Sequence, residues 1–252
     1  MTDSNPPQIT IITSVLNGAG HIRRSLEAVR RQEDVAAEHV VIDGGSTDGT
    51  LDILRDPAVA PAVWISEPDA GIYDAWNKGL ARARGQWIAF VGADDFLLPG
   101  ALRAYCGIIE AHQGKLDYVS SRVRLVRDEA RIAFAELGGP WNWRRLTRRM
   151  CVAHPGSLHH RSLFERVGRF DASYRVSADY EFLLRAGPTL RTAFLDQVTV
   201  EMSWGGASAG TAQARREARR AKIQTLGMPE WHANALYLQD VGRAWVRRRL
   251  LG

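Results

Sequence analysis

Four short apolar runs, separated by segments with helical periodicity, constrain the fold of this chain most. The runs span residues 9–15, 39–42, 63–66 and 87–91. Short runs that are rich in β-branched or aromatic residues and bounded by turn residues are typical of buried strands. Between the first two runs, Ile22, Leu26 and Val29 recur at helical spacing. The alternation predicts an α/β fold, in which helices flank a mostly parallel central sheet with right-handed crossovers.

Beyond Asp95 the pattern predicts further elements of both kinds. In order, they are a helix (99–112), a hairpin (118–126 and 131–137, around Asp128 and Glu129), two short helices (162–167 and 179–186), a strand (192–202), a flexible loop (205–210) and two final helices (211–226 and 229–251). We therefore expect one α/β domain over residues 1–210 and a C-terminal helical extension over residues 211–252.

The composition is that of a globular protein, because 45% of the 252 residues are hydrophobic and 24% are charged. The formal charge of +5 suits nucleic acid, an anionic membrane or a phosphate-bearing substrate, and it selects none of them. Cys106 and Cys151 indicate neither a disulfide framework nor a zinc site. Residues 1–8 do not resemble a secretory signal, and no run approaches the roughly 18 apolar residues of a membrane span. We expect a cytoplasmic protein, peripheral at most to the inner face of the plasma membrane.

Carboxylates follow two of the predicted strands. Asp94 and Asp95 come after the fourth run, and Asp43 ends the second run, just before two glycines. Open α/β sheets bind ligands outside the carboxyl ends of their strands, so we expect these side chains at a ligand crevice. Two adjacent carboxylates repel each other unless a cation or a donor compensates, and a divalent metal ion would do so. The alternative for Asp94 and Asp95 is a polar loop that caps the next helix.

The segment after Asp43 has two interpretations. Asp43 faces the crevice as a ligand-binding carboxylate, or it forms a turn with its own backbone, a role that Ser46, Thr47 and Asp48 could supply equally well. Ser46 or Thr47 is also expected to cap a helix that runs through Leu54.

Five segments in register resemble family-2 glycosyltransferases with the GT-A fold. They are Thr-Ser-Val-Leu-Asn at 13–17, Val-Ile-Asp-Gly-Gly-Ser-Thr-Asp-Gly-Thr at 41–50, Glu-Pro-Asp through Asn-Lys-Gly at 67–79, Gly-Ala-Asp-Asp at 92–95 and Ala-Asp-Tyr-Glu at 178–181. The resemblance implies that residues 8–98 bind a nucleotide-diphosphate sugar and that residues 99–210 bind the acceptor. Within the family, the chain is most similar to bacterial enzymes that build exopolysaccharides or lipid-linked glycans.

The resemblance also implies roles for single residues. Asp43 would accept the imide N–H of a uracil. The other contacts to the nucleotide or donor sugar would come from Thr13, Val15, Asn17, Asp69, Asn77 and Asp94. Asp95, with His154, would hold Mn²⁺ or Mg²⁺ on the diphosphate, where the metal neutralises charge on the leaving group. Gly92 departs from the family pattern, which often has an aspartate at this position.

Asp179 resembles the acceptor-side acid of the family. This chain departs from the family pattern at the preceding position, where Ala178 replaces a residue that is more often an acid. An inverting transfer needs one base to take the proton of the acceptor hydroxyl. Asp179 is predicted to be this base, with Glu181 in reserve. The alternative for Asp179 is a charge that complements the N-terminal end of a helix dipole.

The sequence thus predicts an inverting glycosyltransferase that moves a sugar from a UDP-sugar to a hydroxyl of a glycan or lipid-linked acceptor. A nucleotidyltransferase is a weaker alternative, because residues 17–21 after the first strand contain no Lys or Arg to bind phosphate. A non-catalytic nucleotide-sugar-binding subunit of a polysaccharide-synthesis complex is a further alternative. A nucleic-acid partner is not expected, since only the net charge would support one.

Two basic segments keep open interpretations. Residues 141–149 contain two tryptophans and four arginines, which either line an acceptor or phosphate path or form a solvated basic face. In the last helix, one face carries Trp231, Ala235, Leu238, Gly242 and Trp245, with arginines beside it. This face is predicted either to dock on an anionic membrane surface or to pack on the catalytic domain.

Overall fold

A computed structural model describes residues 8–32, 34–127, 130–205 and 211–251. The strands are β1 (Ile9–Val15), β2 (Ala37–Asp43), β3 (Val63–Ser66), β4 (Trp87–Phe90), β5 (Phe96–Leu97), β6 (Tyr118–Arg127), β7 (Ile132–Leu137), β8 (Ser157–His160) and β9 (Thr192–Ser203). The helices are α1 (Ile22–Arg30), α2 (Thr50–Arg55), α3 (Ile72–Arg82), α4 (Ala101–Ala111), α5 (Trp143–Leu146), α6 (Arg161–Val167), α7 (Ala178–Ala186), α8 (Ala212–Gln224) and α9 (Glu230–Leu251). The predicted α/β alternation is confirmed.

The described strands form one mixed sheet in the order β3-β2-β1-β4-β8-β6-β9-β5, with β7 paired to β6. Strands β1 to β4 run parallel, and their register aligns Val15 with Asp43 and Asp43 with Ser66. Strand β8 is antiparallel to both β4 and β6, so it joins the parallel half of the sheet to the C-terminal half. The carboxyl ends of β1, β2 and β3 therefore meet at one edge, as expected for a ligand crevice.

Alternating side chains on β1 build a core on each face of the sheet. Ile12 belongs to the same apolar cluster as Trp76 of α3, whereas Ile11 belongs to the cluster that contains Leu102 of α4. The first cluster also includes Ala221, so α8 shares a core with the sheet. The predicted boundary between residues 210 and 211 stays a prediction, because residues 206–210 lie outside the described ranges.

Several local predictions need correction or qualification. The predicted cap of α2 by Ser46 or Thr47 is wrong, because Gly49 is the N-cap and Asp48 Oδ1 accepts the hydrogen bond from Thr50 N at 3.1 Å. Strands β5 and β8 were not predicted. The hairpin of β6 and β7 is confirmed, although its turn at residues 128–129 lies outside the described ranges, as does most of the predicted loop at 205–210.

The C-terminal helix α9 turns its tryptophan face away from the domain. Ala233 is buried on the opposite side. The exposed residues include every member of the face identified in the sequence: Trp231, Ala235, Leu238, Gly242 and Trp245. The interpretation that this face packs on the catalytic domain is therefore wrong. Within the described ranges, none of the helices combines the length and apolar character that a membrane span requires.

Gly79→Ala is expected to destabilise the fold. A Cβ at Gly79 of α3 would lie 2.4 Å from Cγ2 of Ile12, and Ile12 is fully buried in β1. Overpacking of this kind costs about 1–3 kcal/mol, which chemical denaturation measures as a lower free energy of unfolding.

Gly107→Ala is the matched control for this substitution. Gly107 lies on the exposed side of α4, and a Cβ there would meet nothing within 4 Å. Replacing a glycine inside a helix should then stabilise the protein by about 0.5–1 kcal/mol. Equal changes in the free energy of unfolding at the two positions would show that the close approach of α3 to β1 does not exclude a side chain at Gly79.

Candidate active site

A cavity of about 360 Å³ brings together four of the predicted site residues, Asp94, Asp95, His154 and Asp179. The two adjacent aspartates follow β4 after residues 91–93, so they lie outside the carboxyl end of a parallel strand. The apolar part of the lining includes Ile72, Trp76, Phe90, Leu137, Met150, Val152 and Met202. An apolar cavity with a few convergent polar groups is the usual form of a small-molecule site.

Asp95 is buried in the loop between β4 and β5. Its Oδ1 accepts a hydrogen bond from Ser203 N at 3.1 Å, and its Oδ2 accepts one from Gly92 N at 3.3 Å. Burial and the charge of Asp94 raise the pKa of Asp95 to about 7, although both hydrogen bonds and Arg131 oppose the rise. The Asp95 carboxylate therefore lacks the full compensation that a nearby cation would provide.

The carboxylates of Asp94 and Asp95 converge around Gly92. A Cβ on Gly92 would lie 2.9 Å from Asp95 Oδ2 and 3.0 Å from Asp94 Oδ1, so the two oxygens flank the same point. One or two carboxylates, completed by substrate phosphates and water, suit a magnesium-like ion. Among the described residues, no group of three or more His, Cys, Asp or Glu side chains could hold a metal ion. The aspartate pair thus fits a metal that is shared with a substrate, and it does not fit a closed structural site.

His154 lines the cavity, but aromatic rings surround it. Its ring stacks on Trp76 with the centroids 4.9 Å apart and lies 5.5 Å from the ring of Phe90. Its Nε2 is buried without a hydrogen-bond partner. Burial lowers the pKa of His154 to about 3, so the ring is neutral at pH 7 and keeps a free lone pair. The predicted metal role of His154 stays a prediction.

Asp179 stands in the first turn of α7, beside Tyr73 of α3. Tyr73 Oη lies 3.2 Å from Asp179 Oδ1 and 2.6 Å from the carbonyl oxygen of Val176. Because the phenol has one proton for two acceptors, the longer contact to Asp179 is the weaker one. Burial raises the pKa of Asp179 to about 6, while hydrogen bonds from the Tyr180 N–H and from Tyr73 oppose the rise. Such a carboxylate is ionised at neutral pH and basic enough to act as a general base.

Glu217 of α8 holds the loop that precedes α7. Its Oε2 accepts hydrogen bonds from Val176 N at 2.8 Å and Ser177 N at 2.9 Å, and its Oε1 accepts one from Arg175 N at 2.9 Å. Burial opposes the ionisation of Glu217, but these bonds and one from Gln213 outweigh it and lower the pKa of Glu217. The ionised carboxylate therefore fixes a backbone segment that lines the cavity.

Asp43 lies apart from the cavity, where β2 ends. Its Oδ2 accepts hydrogen bonds from Gly45 N and Ser46 N, both at 3.0 Å, and from Ser66 Oγ at 2.7 Å. Burial opposes the ionisation of Asp43, but these hydrogen bonds outweigh it and lower its pKa. Its Oδ1 is buried and has no hydrogen-bond partner. Asp43 thus has the turn role that the sequence left open, and it also retains an oxygen that a ligand N–H could satisfy.

The loops after β1 and β2 are tied together. Asn17 N donates to Ser46 Oγ at 2.7 Å, and Asn17 Oδ1 accepts from Thr47 N at 2.9 Å. The side chains of Thr13 and Val15 face the interior, where the Thr13 hydroxyl is hydrogen-bonded to the buried histidine of β2 and Val15 joins an apolar cluster. Nucleotide contacts by Thr13, Val15 and Asn17 stay predictions.

Three other predicted residues do not line the cavity. Asn77 Nδ2 donates to the carbonyl oxygen of Phe170 at 2.9 Å and Asn77 Oδ1 accepts from Phe170 N at 3.1 Å, so the amide fastens α3 to the chain before α7. Glu181 is buried and forms an ion pair of 2.8 Å within α7. Asp69 borders the loop after Asp43, because a Cβ on Gly44 would lie 2.6 Å from Asp69 Oδ2.

Sequence reasoning missed Tyr73, Ser203 and Glu217. Tyr73 lies inside the segment 67–79, so the only available signal was a polar aromatic residue within a recognised motif. Ser203 contacts Asp95, which is 108 residues away, and Glu217 contacts Val176, which is 41 residues away. Local periodicity cannot identify partners at such separations.

Comparison with known proteins finds a matching family and similar glycosyltransferases. The family model described as Glycosyl transferase family 2 matches residues 10–176. A PGL/p-HBAD biosynthesis glycosyltransferase of Mycobacterium bovis is 30% identical over 259 residues, which cover 96% of this chain and 99% of the relative.

Solved structures with a similar fold include two glycosyltransferases with bound nucleotide sugars. S. aureus TarS in complex with UDP-GlcNAc has a TM-score of 0.65 at 17% identity, over 95% of this chain and 73% of that chain. The mannosyltransferase PcManGT from Pyrobaculum calidifontis in complex with GDP-Man and Mn²⁺ has a TM-score of 0.66 at 19% identity, over 99% and 79% of the two chains. These likenesses confirm the predicted GT-A fold.

Tyr73→Phe is expected to raise the pKa of Asp179 above about 6, because the Tyr73 hydroxyl donates toward Asp179 and lowers that pKa. NMR titration of the Asp179 carboxyl carbon measures the shift. As the pH falls, any activity that needs ionised Asp179 should be lost at a higher pH in the variant than in the parent. Tyr174→Phe is the control, since the Tyr174 ring packs under Arg220. An unchanged or lower pKa in Tyr73→Phe would contradict the assigned contact.

Proposed function

This chain is a glycosyltransferase of glycan biosynthesis that belongs to glycosyl transferase family 2, and we propose that it moves a sugar with inversion from a UDP-sugar to a hydroxyl acceptor. The observation that carries the proposal is the shared cavity. It combines an aspartate pair suited to a metal with a separate aspartate on α7, whose pKa, raised to about 6, suits a general base. These are the two groups that a single displacement at a sugar carbon requires.

In the proposed transfer, the acceptor hydroxyl oxygen attacks the anomeric carbon of the donor. A carbon–oxygen bond forms to the acceptor, the bond between the anomeric carbon and the diphosphate oxygen breaks, and the nucleoside diphosphate leaves with the electron pair. Asp179 takes the hydroxyl proton, for which a pKa of about 6 is suitable at neutral pH. A single displacement inverts the anomeric configuration.

Asp94 and Asp95 are the proposed ligands of Mn²⁺ or Mg²⁺. When bound, the ion would stabilise negative charge on the leaving diphosphate. Ser203 N and Gly92 N orient the Asp95 carboxylate, while burial makes its negative charge costly without a cation. His154 would approach the same region as a neutral ring.

A UDP-sugar is the proposed donor because Asp43 has an unsatisfied buried oxygen near the ends of β1, β2 and β3. The imide N–H of uracil is the kind of donor that this oxygen lacks. TarS was solved with UDP-GlcNAc and PcManGT with GDP-Man, so a donor screen for this chain should include both nucleotides. The proposed donor region is completed by Thr13, Val15, Asn17, Asp69 and Asn77. Asn77 contributes mainly through its hydrogen bonds to the backbone of Phe170.

Asp95→Asn and Asp179→Asn should separate donor binding from chemistry. Thermal stabilisation by UDP- and GDP-sugars, with and without Mn²⁺, identifies the donor, because a ligand that binds only the native state raises its stability. Asp95→Asn is expected to lose the metal-dependent stabilisation. Asp179→Asn should keep it, while release of free nucleoside diphosphate falls about 10²–10⁴-fold.

The control for both variants is Glu165→Gln, which alters an exposed acid on α6 and should behave as the parent. Unchanged turnover in Asp179→Asn would assign the base to another residue. Nucleotide-sugar binding by the parent without any turnover would favour the alternative of a non-catalytic binding subunit.

We also propose that α9 docks the enzyme on an anionic membrane surface, where a lipid-linked acceptor would lie. Trp231 is 73% exposed, Leu238 67% and Trp245 56%, and they share one helical face. The guanidinium of Arg249 lies 4.2 Å from the centroid of the Trp245 ring. Exposed tryptophan beside arginine suits an interfacial helix, and each basic residue near anionic lipid adds about 1 kcal/mol.

Trp231→Ser combined with Trp245→Ser is expected to abolish this docking without unfolding the protein, since both side chains are exposed. Co-sedimentation with vesicles that contain phosphatidylserine measures binding, which should weaken as salt rises. Ile132→Ser removes an exposed apolar side chain from β7 and serves as the control. Absence of vesicle binding by the parent, or equal loss in the control, would contradict docking through α9.

A further inference from the structure

A second cavity, of about 240 Å³, shares Val176 and Asp179 with the first. Its other walls come from α7, α8 and α9 and from the turn after α5, and they include Arg149, Lys222 and Asp240. A group bound in this cavity would lie next to the proposed base. The diphosphate and sugar of the proposed donor, by contrast, would lie at Asp94 and Asp95 in the first cavity, which Lys222 does not line.

Lys222 distinguishes this cavity from a solvated groove. Only 2% of the residue is exposed, and its Nζ lies 5.6 Å from the centroid of the Tyr180 ring. Within the described part of the chain, its ammonium group has neither a hydrogen bond nor a carboxylate at ion-pairing distance. Asp240 lines the same cavity and attracts this ammonium group from beyond ion-pairing distance, while it forms an ion pair of 3.4 Å with Arg243. A buried ammonium without such partners is costly, and a bound anion would offset that cost.

Arg149 connects the second cavity to a basic groove of about 400 Å³. The arginines of the groove are Arg144, Arg145, Arg148, Arg149 and Arg243. Of these, Arg243 alone has a carboxylate partner among the described residues. The neighbouring Trp141 and Trp143 pack partly buried against the core, so they do not line the groove. The groove and the cavity adjoin at Arg149, so basic side chains lie between α9 and the cavity that contains Asp179.

We propose that Lys222 and Arg149 bind a phosphate group carried by the acceptor, whose hydroxyl then reaches Asp179. Phosphate is favoured because its tetrahedral oxygens can pair with the planar fork of a guanidinium and with an ammonium group at the same time. That the phosphate belongs to an acceptor rests on the proposed transferase function. Binding of the phosphate group itself needs neither the donor nor a metal ion.

Lys222→Met tests the site in the full chain. Methionine fills a similar volume without the buried charge, so the variant should fold with an equal or higher melting temperature. Calorimetry with hexyl phosphate, in the absence of nucleotide and metal, is expected to show binding by the parent that weakens about tenfold or more in the variant. Lys115→Met, which removes an exposed lysine, is the matched control and should bind as the parent does.

Two further ligands identify the source of the phosphate. Tighter binding of hexyl phosphate than of inorganic phosphate would support an organic phosphate on the acceptor. Equal affinity for the two would overturn the acceptor assignment and leave a site for free phosphate. Hexanoate binding that matches hexyl phosphate would overturn the choice of phosphate over carboxylate.

The remaining outcomes separate this site from the proposed function. No binding of hexyl phosphate by the parent, or unchanged binding by Lys222→Met, would overturn the site. Loss of nucleotide-sugar stabilisation in Lys222→Met would place Lys222 with the donor and also overturn it. Lys222-dependent phosphate binding in a parent that binds no nucleotide sugar would support the site and count against the transferase function.

Discussion

The shape of the 360 Å³ cavity depends on the hydrogen bonds that the buried carboxylate of Glu217 accepts. It accepts hydrogen bonds from the N–H groups of residues 175–177, immediately before α7, where Ser177 makes no side-chain cap of its own. Loss of this carboxylate would leave the buried Ser177 N–H unsatisfied, at a cost of about 1–3 kcal/mol, and would free the partly buried N–H groups of Arg175 and Val176. The wall at Val176 and the start of the helix that carries Asp179 are therefore set by α8, which packs on the same core as the sheet.

Asp43 and Asp95, which are buried, and Asp179, which is partly buried, acquire different proton affinities because they have different donors. Asp43 has three donors to one oxygen, and its pKa is lowered despite burial. Asp95 has two longer bonds and a charged neighbour, and its pKa rises to about 7. Asp179 has a shared contact from Tyr73, and its pKa rises to about 6. The same side chain thus suits recognition at one position, metal binding at another and proton transfer at the third.

The elements that the sequence predicted well are those with local causes. Strand β1 and the periodic helices α1 and α3 follow from short apolar runs and turns. The alternation of strands and helices predicted a parallel sheet, and so the position of the carboxylates outside the ends of its strands. Strand β8 depends on pairing with distant strands, so its four residues carried no clear signal. Asn77 matches a family motif, yet its amide is bonded to Phe170, 93 residues away. On α9, periodicity predicted the face correctly but could not predict which way it turns.

Gly92 shows how a departure from the family pattern follows from packing. A side chain at this position would begin within 3.0 Å of oxygens from both Asp94 and Asp95. The two carboxylates occupy the space that a third would need, so an aspartate at position 92 would displace one or both of them. A divalent ion between two carboxylates is formally neutral, whereas three carboxylates would leave a net negative charge that repels a diphosphate. The pair would therefore hold the ion weakly alone and more strongly together with the donor, which ties metal binding to substrate binding.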